Sequence, residues 1–274
     1  MIQMNLILIK ILISTAIVAL LAEISTRINP VLGGIFSGLP LGVGLSVYFI
    51  SYQQGIPFLV RGIPWGISAL SSSILFCFFY LVTGRYFQPK NNLISIATSS
   101  LMGFISFFVS GYLIYKLGFN LLLATMIFFI IFFMNIFILK KIKINQIIKK
   151  KNKNSITKLL IRGLMAGTII SILTEIASIA GSRWAGILSS FPSTLFALLV
   201  LLHFEEQKNL YPSVIYGFSF SVSTLLVFYI SCWYLLPKLG LNLGFVAIYF
   251  ISISYLFLLN KNKNIFIKEI YHYN

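Results

Sequence analysis

The sequence predicts an all-α, polytopic membrane helix bundle of about nine transmembrane helices built from two internal repeats. Three observations point there. Charged residues make up only 9% of the chain, against roughly 25% in a soluble domain. Apolar runs recur from end to end, most of them long enough to cross a hydrocarbon core of about 30 Å as a helix. Two apolar stretches rich in Gly, Ser and Pro, GGIFSGLP at 33–40 and AGILSSFP at 185–192, stand at matching places in the two halves. The apolar runs are continuous rather than alternating, which selects helices over the strands of a barrel.

The expected spans are 4–22, 31–50, 62–83, 93–115, 119–139, 159–180, 185–203, 214–236 and 241–259. The first is read as a true span and not as a cleaved leader, because 159–180 is its internal counterpart. This divides the chain into a first repeat of about five spans (1–139), a basic loop (140–158), a second repeat of about four spans (159–260) and a basic tail (261–274). The loop carries eight lysines and no acid, and the tail carries Lys261, Lys263 and Lys268. Positive charge is retained on the cytoplasmic side. Loop and tail are therefore expected inside, and five spans put the N-terminus outside, in an inner or plasma membrane. The net charge of +16 is accounted for by this topology and by contact with anionic lipid headgroups, so nucleic acid is not expected as a partner.

The repeat emerges when Glu23 is set on Glu175. EISTRINPVLGGIFSGLP then lies over EIASIAGSRWAGILSSFP, with Glu, Ile, Gly, Ile, Ser and Pro in register. Upstream, Lys10 falls on Arg162; downstream, Gln53 and Gln54 fall on Glu205 and Glu206. GISALSSSILF (66–76) faces GFSFSVSTLLV (217–227), and KLGFNL (116–121) echoes KLGLNL (238–243). Only five acids exist in the chain, and two of them match with a proline seventeen residues later in each half. An odd number of spans between the two glutamates makes the halves insert with opposite orientation.

The stretches AGILSSFPSTLFALLVLLHFEEQ and YGFSFSVSTLLVFYISCWYLL resemble the GlpM-like family of small bacterial inner-membrane proteins. The resemblance covers about 159–259 well and 4–83 more loosely, where Leu39 replaces the Phe before the proline and Gln53 replaces an acid. It implies a helix bundle made by fusing two copies of a four-span unit. It implies no catalytic residues.

Glu23 and Glu175 are the transport and proton candidates, since an ionisable group at bilayer depth is costly and usually functional. The competing reading puts each at headgroup level in an ion pair, Arg27 serving Glu23 at helical spacing and Arg183 serving Glu175. Gly34, Ser37, Gly38 and Pro40, with Gly186, Ser189, Ser190 and Pro192, are the helix-break and cavity candidates. Proline frees a backbone carbonyl, glycine admits close approach, and paired interruptions point to a midplane transport site. The same glycines and serines also fit small-xxx-small packing faces. The serine-rich faces at 68–73 and 219–224 either line a polar path or bond their own helices. HFEEQK at 203–208 is expected to be a solvated cytoplasmic loop, and His203, Glu205 and Glu206 match no metal pattern. Cys77 and Cys232 are expected to be packing residues.

The chain contains no Asp, two His, and no P-loop, GxSxG, HExxH or CxxC. An enzyme is therefore not expected, nor a cofactor or resident metal. The expected function is a proton-coupled secondary transporter of a small solute, with the lipid bilayer as its other partner. The alternative is a non-transporting scaffold, accessory subunit or lipid-handling protein.

Overall fold

A computed structural model of the chain describes residues 2–26, 38–87, 91–141, 156–204 and 210–268. Every regular element among them is a helix. In chain order they are α1 (Ile2–Thr26), α2 (Leu41–Gln54), α3 (Ile56–Tyr86), α4 (Asn92–Lys116), α5 (Leu121–Lys141), α6 (Ile156–Ala180), α7 (Ser182–Ser189), α8 (Ser193–Phe204), α9 (Leu210–Leu239) and α10 (Leu241–Lys268). Seven stretches are long and apolar enough to cross a membrane, the pair α7 and α8 (Ser182–Phe204) counting as one of them.

Local chemistry explains the joints. Gly55, Gly181 and Gly240 are single-residue links between consecutive helices, at φ 84°, 88° and 72°. This left-handed backbone is open to glycine and costly for a residue with a Cβ. Pro57 sits in the first turn of α3, where its missing N–H has no partner to lose. The side chain of Asn91 accepts from the Leu93 N–H at 2.9 Å and starts α4; Asn120 does the same for Leu123 ahead of α5. Such caps satisfy amides that the first helical turn leaves unbonded.

The layers sort by burial. In α3, in the α7–α8 pair and in α9, 72%, 83% and 83% of the most apolar window is buried, against 22% for α4, 17% for α5 and 28% for α10. The first group is the core, and the second is an outer ring. That ring exposes Leu101, Val109, Leu122, Met126, Ile130, Phe133, Val246 and Phe250. An apolar exterior of this extent, on helices that satisfy their own backbone, is what a hydrocarbon solvent demands. A second packing unit is the antiparallel pair of α1 and α6, where Gly163 and Gly167 receive the backbone of Ile11 and Thr15.

Candidate functional site

Two helices begin inside the bundle rather than at its ends. Non-helical residues 38–40 precede α2, and residues 190–192 separate α7 from α8. The two starts close with the same hydrogen bonds. Leu41 N–H donates to Leu39 O at 2.7 Å and Gly44 N–H to Pro40 O at 2.7 Å; Ser193 N–H donates to Phe191 O at 2.8 Å and Phe196 N–H to Pro192 O at 2.8 Å. In each, the two amides between these bonds, on Gly42 and Val43 or Thr194 and Leu195, come before the first intrahelical acceptor.

The starts meet. A β-carbon at Gly42 would lie 2.3 Å from Ser193 Oγ and 3.4 Å from the Thr194 amide nitrogen. From this meeting the helices diverge along α6. Leu45 and Phe49 of α2 pack with Ile170, whereas Ala197 of α8 packs with Ala166 and Val18. The meeting is therefore level with about Gly167, near the middle of α6. Both helix starts turn their positive dipole ends to this level. The Ser193 hydroxyl is buried there, and no acceptor faces it among the described residues.

Serines of the opposite half hold each start. Ser73 Oγ of α3 donates to the Ser190 carbonyl, and Ser190 Oγ donates to Gly66 O at 2.7 Å. The Tyr229 hydroxyl of α9 lies 2.8 Å from both Ser189 Oγ and Ser190 Oγ. Phe191 is clamped by rings from α3 and α4, stacked on Phe104 at 5.4 Å and edge-on to Phe76 at 5.3 Å. At the other start, Gly38 lies against Ser221 of α9, and Tyr249 Oη donates to Pro40 O at 2.9 Å. The serine-rich faces thus do two things. Ser68 and Ser219 bond the carbonyls four residues back, while Ser73 reaches the α7–α8 turn.

Gly186 is a packing residue. A β-carbon there would stand 2.1 Å from Gly62 O and 2.9 Å from the Gly66 nitrogen, so α7 and α3 cross backbone to backbone. The Gly62-xxx-Gly66 face of α3 is not among the expected packing faces, although its small-xxx-small spacing is a readable signal.

Glu175 lies about eight residues, roughly 12 Å, along α6 from the meeting level. Its partner is Lys10 of α1, with Nζ 2.6 Å from Oε1. Lys10 is 1% exposed and also bonds Gln53 Oε1 at 2.8 Å and Thr174 Oγ1 at 3.0 Å. Gln53 Nε2 donates to Glu175 Oε1 at 3.1 Å, which ties α1, α2 and α6 together. The expected Arg183 pairing is corrected. The helix ends at Ala180 and Gly181 reverses the chain, so eight residues of separation no longer mean two helical turns. Arg183 instead stacks on Trp65 at 4.8 Å and approaches Tyr115 at 6.0 Å. Arg162, set opposite Lys10 by the sequence repeat, is also buried, and its Nε has no acceptor among the described residues.

Glu23 lies in the last turns of α1, and its side chain falls outside the described residues, as do Arg27, Gly34 and Ser37. Glu205 and Glu206 are outside them too. His203 is corrected: it occupies the last turn of α8 and is fully buried. The apolar helix before it carries the ring into the bundle, which a loop-like HFEEQK sequence does not announce. Cys77 and Cys232 are buried and free. No group of three or more His, Cys or Glu able to hold a metal occurs among the described residues. No protein-family model matches the chain, and searches of curated proteins and of solved structures return no match.

Proposed function

We propose that this chain is a proton-coupled secondary carrier of a small solute. In this reading nine spans form two oppositely inserted repeats, with the N-terminus outside and the C-terminus cytoplasmic in an inner or plasma membrane. One observation carries the reading: two helices start face to face at Gly42 and Ser193, level with the middle of α6. Helix starts at that depth offer backbone donors and a positive dipole end to a solute, and interrupted helices in corresponding halves are how carriers build such a site. The matching hydrogen bonds at 39–44 and 191–196 support the repeat. The relation to GlpM-like proteins is part of the proposal and contributes nothing to the solute's identity. The repeat maps the Lys10–Glu175 pair onto Arg162 and Glu23, so the reading assigns Glu23 the same duty toward Arg162.

The test is uptake by proteoliposomes across a panel of small solutes, with and without an imposed pH gradient. The expected result is accumulation of one solute class that rises with an inward proton gradient. Correctly inserted protein that moves no solute under either condition would replace this reading with the scaffold or lipid-handling one.

The inverted halves make a separate prediction. Cys77 and Cys232 are 1% and 0% exposed, so an impermeant maleimide leaves the natural chain unlabelled. Ile24→Cys and Ile176→Cys are expected to label from opposite faces of sealed vesicles. Labelling from one face removes the inverted repeat.

A further inference from the structure

A second polar cluster lies on the other side of the meeting level from Glu175, where α3, α4, α8 and α9 converge on His203. The ring is 0% exposed. Nδ1 lies 3.2 Å from Tyr80 Oη, and Nε2 lies 3.1 Å from Ser95 Oγ. Tyr211 stacks on the ring face at 4.7 Å and 18°. The space is made by Gly84, where a β-carbon would lie 2.6 Å from Tyr211 Oη and 3.3 Å from His203 Cε1. Asn92 Nδ2 donates to the His203 carbonyl at 2.9 Å. Asn92 Oδ1 and Ser99 Oγ are buried beside it without partners among the described residues.

We infer that His203 is a second proton-binding position of this protein, with the Tyr80 and Ser95 hydroxyls holding its two ring nitrogens in either protonation state. A neutral imidazole donates from one nitrogen and accepts at the other, whereas an imidazolium donates from both. A carbonyl on one nitrogen and an amide on the other would lock a single neutral tautomer. Hydroxyls do neither, because each turns its hydrogen to donate or presents a lone pair to accept. Gain of a proton therefore turns only the one O–H group that had donated to the ring and moves no heavy atom. The C-terminal end of α8 favours the charged ring. Among the described residues, the titratable groups against the ring are Tyr80 from α3 and Tyr211 from α9, α4 places the neutral Asn92, Ser95 and Ser99 beside it, and Arg85 lies in the last turn of α3. Arg85 is exposed.

Protonation of His203 stands on this geometry, and only its use in transport rests on the carrier reading. The chain has two histidines, so His272→Asn leaves a single imidazole to observe. Ring nitrogen NMR of that full-length variant in lipid bilayers, from about pH 9 to about pH 5, is expected to show the unprotonated ring nitrogen gaining a proton, so that both nitrogens carry one at low pH. Tyr80→Phe and Ser95→Ala remove one hydroxyl each. Each is expected to weaken proton affinity about fivefold, since hydrogen bonds to charged groups exceed those to neutral ones. A ring fixed in one neutral tautomer throughout, or two variants with unchanged affinity, would overturn the proposal. In proteoliposomes, His203→Gln is expected to keep solute exchange and lose proton-driven accumulation. If it keeps proton-driven accumulation, the transport role falls while the carrier reading stands; if His203 titrates in a protein that moves nothing, the carrier reading falls alone.

Discussion

Glu175→Gln is expected to destabilise the folded protein by about 1–3 kcal/mol, less than for a fully buried pair, because the carboxylate is 31% exposed while the Lys10 ammonium that it neutralises is buried. The ammonium of Lys10 is 1% exposed, and Glu175 supplies its only charged contact among the described residues, at 2.6 Å. The other two acceptors, Gln53 Oε1 and Thr174 Oγ1, are neutral. They solvate the cation without cancelling its charge. A lysine left unpaired in an apolar helix pair either loses its proton or drags water between α1 and α6. Thermal unfolding in detergent micelles reads the loss directly. The double variant Lys10→Met with Glu175→Gln removes both charges, and the glutamine keeps an oxygen for Gln53 Nε2. It is expected to regain most of the lost stability, since a buried ion pair is often replaced by uncharged groups at little cost. If Glu175→Gln alone melts like the natural protein, Lys10 is not buried as described. Under the carrier reading the double variant is folded yet fails to couple uptake to pH, which separates the structural duty of the carboxylate from its transport duty.

Gly186→Ala is expected to cost about 1–3 kcal/mol, and Gly186→Leu to abolish the folded monomer. The added carbon would sit 2.1 Å from Gly62 O and 2.9 Å from the Gly66 nitrogen. Both are backbone atoms of a buried helix and have no rotamer by which to yield. The only relief is to part α7 from α3, which loosens the Ser190–Gly66 bond and the Tyr229 contacts beside it. Overpacking a well-filled site carries a penalty of this size. Gly118 is the control, because no atom lies within 4 Å of a β-carbon there; Gly118→Ala is expected to be neutral. Size-exclusion profiles and melting curves of the three variants decide. Equal behaviour of the alanines at 186 and 118 would mean that α7 and α3 do not cross as closely as described.

The chain by itself determined what neighbours along it can settle. Continuous apolar runs make helices, because only an internally bonded backbone survives in hydrocarbon. Pro40 and Pro192 mark where α2 and α8 begin, since proline lacks the N–H that a preceding turn would bond and disfavours helical backbone in the residue before it, although Pro64 and Pro237 are carried inside α3 and α9. Residues 27–37, with Gly34 and Ser37, lie outside the described residues, so the turn ahead of α2 is read from sequence alone. What only the tertiary structure decided is which groups share a space. Lys10 meets Glu175 across 165 positions, Gly186 finds Gly62, and His203 finds Tyr80 and Ser95, because helix crossing angles and depths set those encounters and no local pattern encodes them. The spacing between Glu175 and Arg183 was misleading for the same reason: Gly181 turns the chain between them, and charge pairs form by distance through space, not by count along the chain.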